Sequence, residues 1–156
     1  MQLHNRLTLM KKSRPVNILL IEDNPGDVRL AQEAFKEGNV NVSLDVAMDG
    51  MEAINFLRKI GPFQNAVTPD LVLLDLNLPK KDGREVLSDI KADPTLRSIP
   101  VVILTTSNAE QDILNSYNLH VNCYINKPVD FDRFFDIIQK IEDFWLQTAI
   151  LPSMVS

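Results

Sequence analysis

The sequence predicts an α/β fold, a doubly wound, five-stranded parallel sheet with helices on both faces. Three observations predict it. A short apolar run, then turn residues, then a helical period recur along the chain, and strands alternating with helices imply a parallel sheet with right-handed crossovers. The runs at 71–74 and 101–104 are continuously apolar, as strands covered on both faces are. The length of 156 residues suits one domain with its own core and is too short for an eight-stranded α/β barrel.

Residues 1–14 show no clear period and carry Arg6, Lys11, Lys12 and Arg14; they read as a mobile leader ahead of a domain at 15–140. The first strand is Val16-Asn17-Ile18-Leu19-Leu20-Ile21, closed by Glu22-Asp23. Asn24-Pro25 then starts a helix, because Asn caps orphan N–H groups and Pro is tolerated in the first turn. Val28, Ala31, Ala34 and Phe35 recur at helical spacing, and Gly38 stops the helix. The second run, 42–47, alternates with Val42, Leu44 and Val46 on one face, as an edge strand does. Asp49-Gly50 opens the second helix, with Ala53, Ile54, Leu57 and Ile60 on one side and Gly61-Pro62 ending it.

The third run, 71–74, is closed by Asp75, and a loop leads to Gly83. Val86, Leu87 and Ile90 mark a short third helix, and the fourth run, 101–104, ends in Thr105-Thr106-Ser107. A fourth helix is expected near 109–117. The fifth run, 121–125, ends in Asn126-Lys127-Pro128, and a last helix begins near Asp130.

Composition narrows the function. Hydrophobic residues make up 45% and charged residues 24%, ordinary globular usage. Cys123 is the single cysteine, which excludes an internal disulfide and a multi-cysteine zinc site. His4 and His120 are the two histidines, too few for most zinc or two-histidine chemistry. A formal net charge of −5 disfavours nonspecific nucleic-acid binding. No stretch of ~18 apolar residues suggests a membrane span, and no secretory signal pattern opens the chain. A cytoplasmic protein is expected.

In a parallel sheet every strand ends on the same side. Glu22 and Asp23 follow the first run, Asp75 the third, Thr105 the fourth and Lys127 the fifth. Three carboxylates, a hydroxyl and an ammonium thus converge on the edge where open α/β sheets bind ligands. Each residue alone has a bland explanation: acidic groups favour a helix start, and an isolated Lys or Thr is a common surface or strand residue. Their joint occurrence at strand ends favours a site. Clustered carboxylates repel, and a divalent cation removes the conflict. An all-oxygen set points to Mg²⁺, with Mn²⁺ as the alternative. Such an ion holds phosphoryl oxygens, with Lys127 adding a charge and Thr105 a hydrogen bond. Asp75 is then the nucleophile of an aspartyl phosphate.

Ile21-Glu22-Asp23-Asn24-Pro25, Leu74-Asp75-Leu76-Asn77-Leu78-Pro79 with Asp82-Gly83, Leu104-Thr105 and Lys127-Pro128 together resemble the receiver domain of two-component response regulators over residues ~15–140. Residues 75–86 and Ile141-Glu142-Asp143-Phe144-Trp145-Leu146 are most similar to single-domain regulators paired with cyanobacterial phytochrome histidine kinases. The resemblance implies a flavodoxin-like sheet, with Asp75 as phosphoacceptor. Asp23 and Asp75 are implied as Mg²⁺ ligands, Glu22 as a ligand through water and Asn77 as a backbone-carbonyl ligand. It further implies Thr105 as the switch hydroxyl, Tyr124 as the aromatic that moves behind it, and a cis bond before Pro128. Thr106 departs from the family, in which a very small residue is usual there, and slower access of small phosphodonors to Asp75 is expected. Asn77 and Ser107 stand at positions that tune phosphate lifetime in the family.

Phe131, Phe134, Phe135, Ile138, Ile141 and Trp145 follow helical spacing and make one broad apolar face, whereas Ile137 and Phe144 lie off it. With Leu146, Ile150 and Leu151 they leave apolar surface on an extended helix and tail at 141–156. A homodimer through the fourth helix, fifth strand, last helix and tail is expected, the alternative being a tail folded onto its own domain. The expected function is a phosphorelay protein that takes a phosphoryl group from a sensor histidine kinase and signals by protein contact, without nucleic acid or membrane. Two alternatives compete. One is a phosphate-independent binding module. The other is an aspartate-nucleophile phosphatase, faintly suggested by Asp75-Leu76-Asn77 but lacking a late acidic metal ligand.

Overall fold

The computed structural model describes residues 14–105, 123–126 and 131–148. Five parallel strands, β1 (Val16–Ile21), β2 (Val42–Ala47), β3 (Leu71–Asp75), β4 (Val101–Thr105) and β5 (Cys123–Asn126), form one sheet in the order β2-β1-β3-β4-β5. The helices are α1 (Pro25–Glu37), α2 (Gly50–Leu57), α3 (Gly83–Ala92) and α4 (Phe131–Ile141), the last continued by a π-helical segment, Glu142–Thr148. The doubly wound topology is the one the sequence predicts. The expected helix near 109–117 lies outside the described residues, as do Lys127, Pro128 and residues 1–13.

Strand parity sorts the core into two layers, because successive side chains point to opposite faces. Leu19, Ile21, Val72, Leu74, Val101 and Ile103 pack with α2 and α3 through Ala53, Ile54, Phe56, Val86, Leu87 and Ile90. Ile18, Leu20, Leu71, Leu73, Val102 and Leu104 pack with α1 and α4 through Ala31, Ala34, Phe35, Phe134, Ile138 and Ile141. Every residue of β3 is therefore buried, whereas the edge strand β2 is mostly half-buried.

The helix starts follow capping chemistry. The Asn24 side chain accepts from Gly26 N (2.9 Å) and Asp27 N (3.2 Å), with Pro25 in the first turn. Asp49 Oδ1 accepts from Glu52 N at 2.8 Å and Asp82 Oδ1 from Arg84 N at 2.8 Å. α3 stops at Asp93, whose carboxylate accepts from the Thr95 hydroxyl at 2.7 Å and the Thr95 N–H at 2.8 Å. Those bonds, the hydroxyl's foremost, hold its carboxyl below the usual carboxylate range. α2 ends earlier than its spacing suggests. It stops at Leu57, Lys59 takes a positive φ, and Gly61–Phe63 form a short 3₁₀ turn. Ile60, expected on the buried side, is instead 50% exposed, and Phe56 fills the core in its place.

At the sheet edge opposite the carboxyl ends, Asp70 Oδ2 accepts from Asn17 N at 2.8 Å and Asp70 Oδ1 pairs with Arg14 at 3.1 Å. This ties the start of β3 to the start of β1 and fastens Arg14, the last residue of the expected leader, to the domain. No helix among the described residues is long and apolar enough to cross a membrane.

α4 is fastened to α1 by polar as well as apolar contact. Gln139 Nε2 donates to the Ala34 carbonyl at 2.6 Å, and the buried Glu142 accepts from Asn39 N through Oε1 at 2.8 Å. A Cβ on Gly38 would collide with that carboxylate. Glu142→Ala is expected to lower stability by about 1–3 kcal/mol, the range for leaving a buried group unsatisfied. Gly38→Ala is expected to be destabilising too. Urea unfolding of the double variant should show less than the sum of the two losses, because both changes act on one contact.

Candidate functional site

The site is assembled by register. Ile21 of β1 lies opposite Leu74 of β3, so the next residues, Glu22 and Asp75, leave the sheet at the same level. Asp75 lies opposite Leu104, which sets Thr105 one residue further along β4, and Thr105 lies opposite Asn126 of β5. β1 and β3 thus bring Glu22, Asp23 and Asp75 to one edge of the sheet, and the backbone of Thr105 ends β4 beside them.

Carboxylate oxygens of Glu22, Asp23 and Asp75 lie within 4.8 Å of one another. Glu22 and Asp75 are buried, at 1% and 5% exposure, and Asp23 is exposed. Like charges at this spacing repel by on the order of 1–3 kcal/mol per pair at effective dielectric constants between those of water and a protein surface. Backbone N–H groups offset part of that repulsion. Asn24 N donates to Glu22 Oε1 at 3.1 Å, and Asn77 N donates to Asp75 Oδ1 at 3.1 Å. Both are short-range turns that fix the carboxylate of one residue with the amide two residues on.

The residues fit a hard divalent cation. The donors are all oxygen, and the buried pair sits beside an exposed third carboxylate, which leaves part of the coordination sphere open to water or to a phosphoryl oxygen. Asn77 belongs to the same short turn as Asp75, which brings its carbonyl into the neighbourhood of the site. Tyr124 lies on β5 opposite Ile103. The side chains of Thr105 and Tyr124, and all of Lys127 and Pro128, lie outside the described residues.

Gly50, expected as a helix start, and Gly83, expected at the end of the loop after Asp75, are both close-packing positions. A Cβ on Gly83 would stand 2.5 Å from the Asp75 carbonyl oxygen and 2.6 Å from Leu76 Cα. Gly83 N donates to the Leu76 carbonyl at 3.1 Å, which closes the loop after β3 back upon itself. A Cβ on Gly50 would collide with the Lys81 carbonyl. The Asp-Gly pairs 49–50 and 82–83 are visible in the sequence, but what approaches each glycine depends on long-range packing.

Comparison with known proteins finds relatives over most of the chain. The family described as response regulator receiver domain matches residues 18–139. The response regulator Rcp1 of Synechocystis sp. (strain PCC 6803) is 50% identical over 139 residues, which is 89% of this chain and 95% of that protein. The crystal structure of the phosphorylated cyanobacterial phytochrome response regulator RcpA is similar with a TM-score of 0.84 at 55% identity, covering 89% of this chain and 99% of that one. The Mn²⁺-bound form of Rcp1 is similar with a TM-score of 0.83 at 51% identity, covering 88% and 99%.

If the acidic cluster holds a cation, Mn²⁺ or Mg²⁺ should raise the melting temperature, with a stabilisation of about 2.7 kcal/mol at a hundredfold excess over Kd. Asp23→Asn should raise the melting temperature of the cation-free protein, by relieving repulsion, and remove most of the cation-dependent increase. Thermal melts with EDTA and with Mn²⁺ measure both signs.

Proposed function

The chain belongs to the response regulator receiver domain family, and we propose that it is a phosphorelay protein whose Asp75 accepts a phosphoryl group from a sensor histidine kinase of the phytochrome type. The observation that carries this reading is the meeting of the Glu22, Asp23 and Asp75 carboxylates at one sheet edge. Asp23, Asp75 and the Asn77 carbonyl are the proposed cation ligands, with Glu22 acting through water. The cation, when bound, supplies positive charge that neutralises the carboxylates and the transferring phosphoryl oxygens.

An Asp75 carboxylate oxygen attacks the phosphorus of the kinase's phosphohistidine. A P–O bond forms, the P–N bond breaks, and its electron pair returns to the imidazole nitrogen. The Asn77 N–H on Asp75 Oδ1 orients the carboxylate. Lys127 contributes a second positive charge to the phosphoryl oxygens, and Thr105 a hydrogen bond that exists only in the phosphorylated state. The aspartyl phosphate adds negative charge and strong acceptors, and the conformational equilibrium shifts by the differential contact that Thr105 and Tyr124 gain. Hydrolysis returns Asp75 to its free state, and no turnover of a separate substrate is expected. The proposed location is the cytoplasm. The partners are the kinase and a downstream protein, not nucleic acid or membrane.

A homodimer through the last helix is part of the same reading. Ile125, Ile137, Lys140, Ile141, Phe144 and Trp145 line a groove of about 260 Å³ beside α4. Phe144 is 56% exposed and stacks edge-on against Trp145 with ring centroids 5.3 Å apart. Because Ile141 and Glu142 are buried, truncation after Lys140 would damage the domain itself, so Phe144→Asp is the better probe. Sedimentation should show it shifted toward monomer, and an unchanged assembly state removes the dimer from the proposal.

Incubation with a phytochrome-type kinase carrying labelled phosphohistidine should transfer label in the presence of Mg²⁺, and Asp75→Asn should abolish the transfer. Absence of any Mg²⁺-dependent acyl phosphate would favour a binding module that keeps only the fold. Steady hydrolysis of a phosphate ester would favour a phosphatase. Thr106→Ala is expected to speed labelling by acetyl phosphate modestly, and equal rates would show that Thr106 does not restrict access.

A further inference from the structure

We propose that Gly50, at the start of α2 and remote in sequence from Asp75, is a positioning residue for the cation site, an inference that rests on the reading of Asp75 and Asn77 as ligands. The loop from Leu76 to Gly83 leaves the sheet immediately after Asp75. Its inner part is closed by Gly83 N to the Leu76 carbonyl and by Leu78 N to the Leu76 carbonyl, at 3.1 and 3.2 Å. Its outer part turns tightly, with Lys81 N bonded to the Pro79 carbonyl at 2.8 Å and Lys80 at φ 66°. That outer part rests on the start of α2. Gly50 N points to the Pro79 carbonyl at 3.5 Å, and the Lys81 carbonyl occupies the space a Cβ on Gly50 would need.

Shape makes this contact, and an ion pair on its far side, Lys81 Nζ to Asp89 Oδ2 of α3 at 2.7 Å, helps hold Lys81 in place. The Lys80 ammonium does reach Asp49 Oδ2 at 3.4 Å, but its side chain is 70% exposed, and exposed pairs contribute little. The two sides also differ in freedom to move. Gly50, Ala53 and Ile54 are buried, whereas in the loop Leu78 and Lys81 are half-buried and Asn77, Pro79 and Lys80 are exposed. A methyl group at position 50 therefore displaces the loop rather than the helix. The displacement reaches Asn77, whose N–H holds Asp75 Oδ1 and whose carbonyl is a proposed ligand. The residue types fit this role: only glycine allows the close approach at position 50, and a positive φ at position 80 is open to Lys but strained for a β-branched residue.

The test is Mn²⁺ affinity of the full chain by electron paramagnetic resonance, together with the ¹H–¹⁵N resonance of Asn77, on variants shown to be folded by circular dichroism. Gly50→Ala is expected to weaken affinity about tenfold, the lower end of the range for residues that orient metal ligands, and to move the Asn77 resonance. Gly38→Ala, whose Cβ would collide with the distant Glu142 carboxylate, controls for lost stability and should leave affinity unchanged. Lys80→Val and Lys80→Gly remove the same charge, but only valine resists the positive φ. The valine variant should weaken affinity and the glycine variant should not, a comparison that decides the matter if Gly50→Ala does not fold. Affinities of Gly50→Ala and Lys80→Val within twofold of the unmodified chain would overturn the positioning role. An unmodified chain that binds no Mn²⁺ would overturn the cation-site reading itself, and this role with it.

Discussion

Like charges held together at a sheet edge are the constraint on which the rest of this structure depends. Glu22 and Asp75 are buried beside each other, with Asp23 within 4.8 Å, an arrangement that opposes folding unless something else enforces it. The enforcement is the pairing of β1 with β3 and the burial of both strands. Slippage of β1 along β3 is opposed by the alternation itself: Ile18, Leu19, Leu20 and Ile21 are each at 1% exposure or less, divided between two cores. Moving β1 by one residue would send each side chain to the other layer. The energy that fixes the register is thus spread over the hydrophobic layers, while the unfavourable part is local and can be relieved by a cation.

The loops at this edge are held by close backbone approaches, to which the Lys81–Asp89 ion pair adds. Gly83 lies against Asp75 and Leu76, and Gly50 against Lys81. Both glycines also begin helices behind Asp caps, so each helix start serves as an abutment for the loop after β3. The loop's own hydrogen bonds, from Asn77 N, Leu78 N, Lys81 N and Gly83 N, close it on itself, and these backbone approaches seat it against the helix starts.

The side of the domain bearing α1 and α4 is organised differently. Gln139 and Glu142 reach from the end of the chain to the end of α1, more than a hundred residues earlier in sequence. The buried Glu142 carboxylate makes the start of the π-helical segment part of the domain rather than an appendage. Ile141 and Glu142, the first two residues beyond Lys140, are both buried. Phe144, two residues on, is exposed, so core and surface meet within a single helical turn.

Much of this was legible in the amino-acid order. Apolar runs of strand length, Asn24-Pro25, Asp49-Gly50 and the residues that end the first and third runs determined the order of the described elements, the parallel sheet and the three carboxylates at its edge, because these depend on local periodicity and on the rule that parallel strands end together. Tertiary structure alone decided the remainder. The exposure of Ile60 follows from α2 ending at Leu57, and the burial of Glu142 from the approach of Gly38 and Asn39. The contact of Gly50 with the loop after Asp75 arises from two strand–helix units packed side by side. In each case the deciding neighbour is distant in sequence, and residue periodicity carries no record of which surfaces will meet.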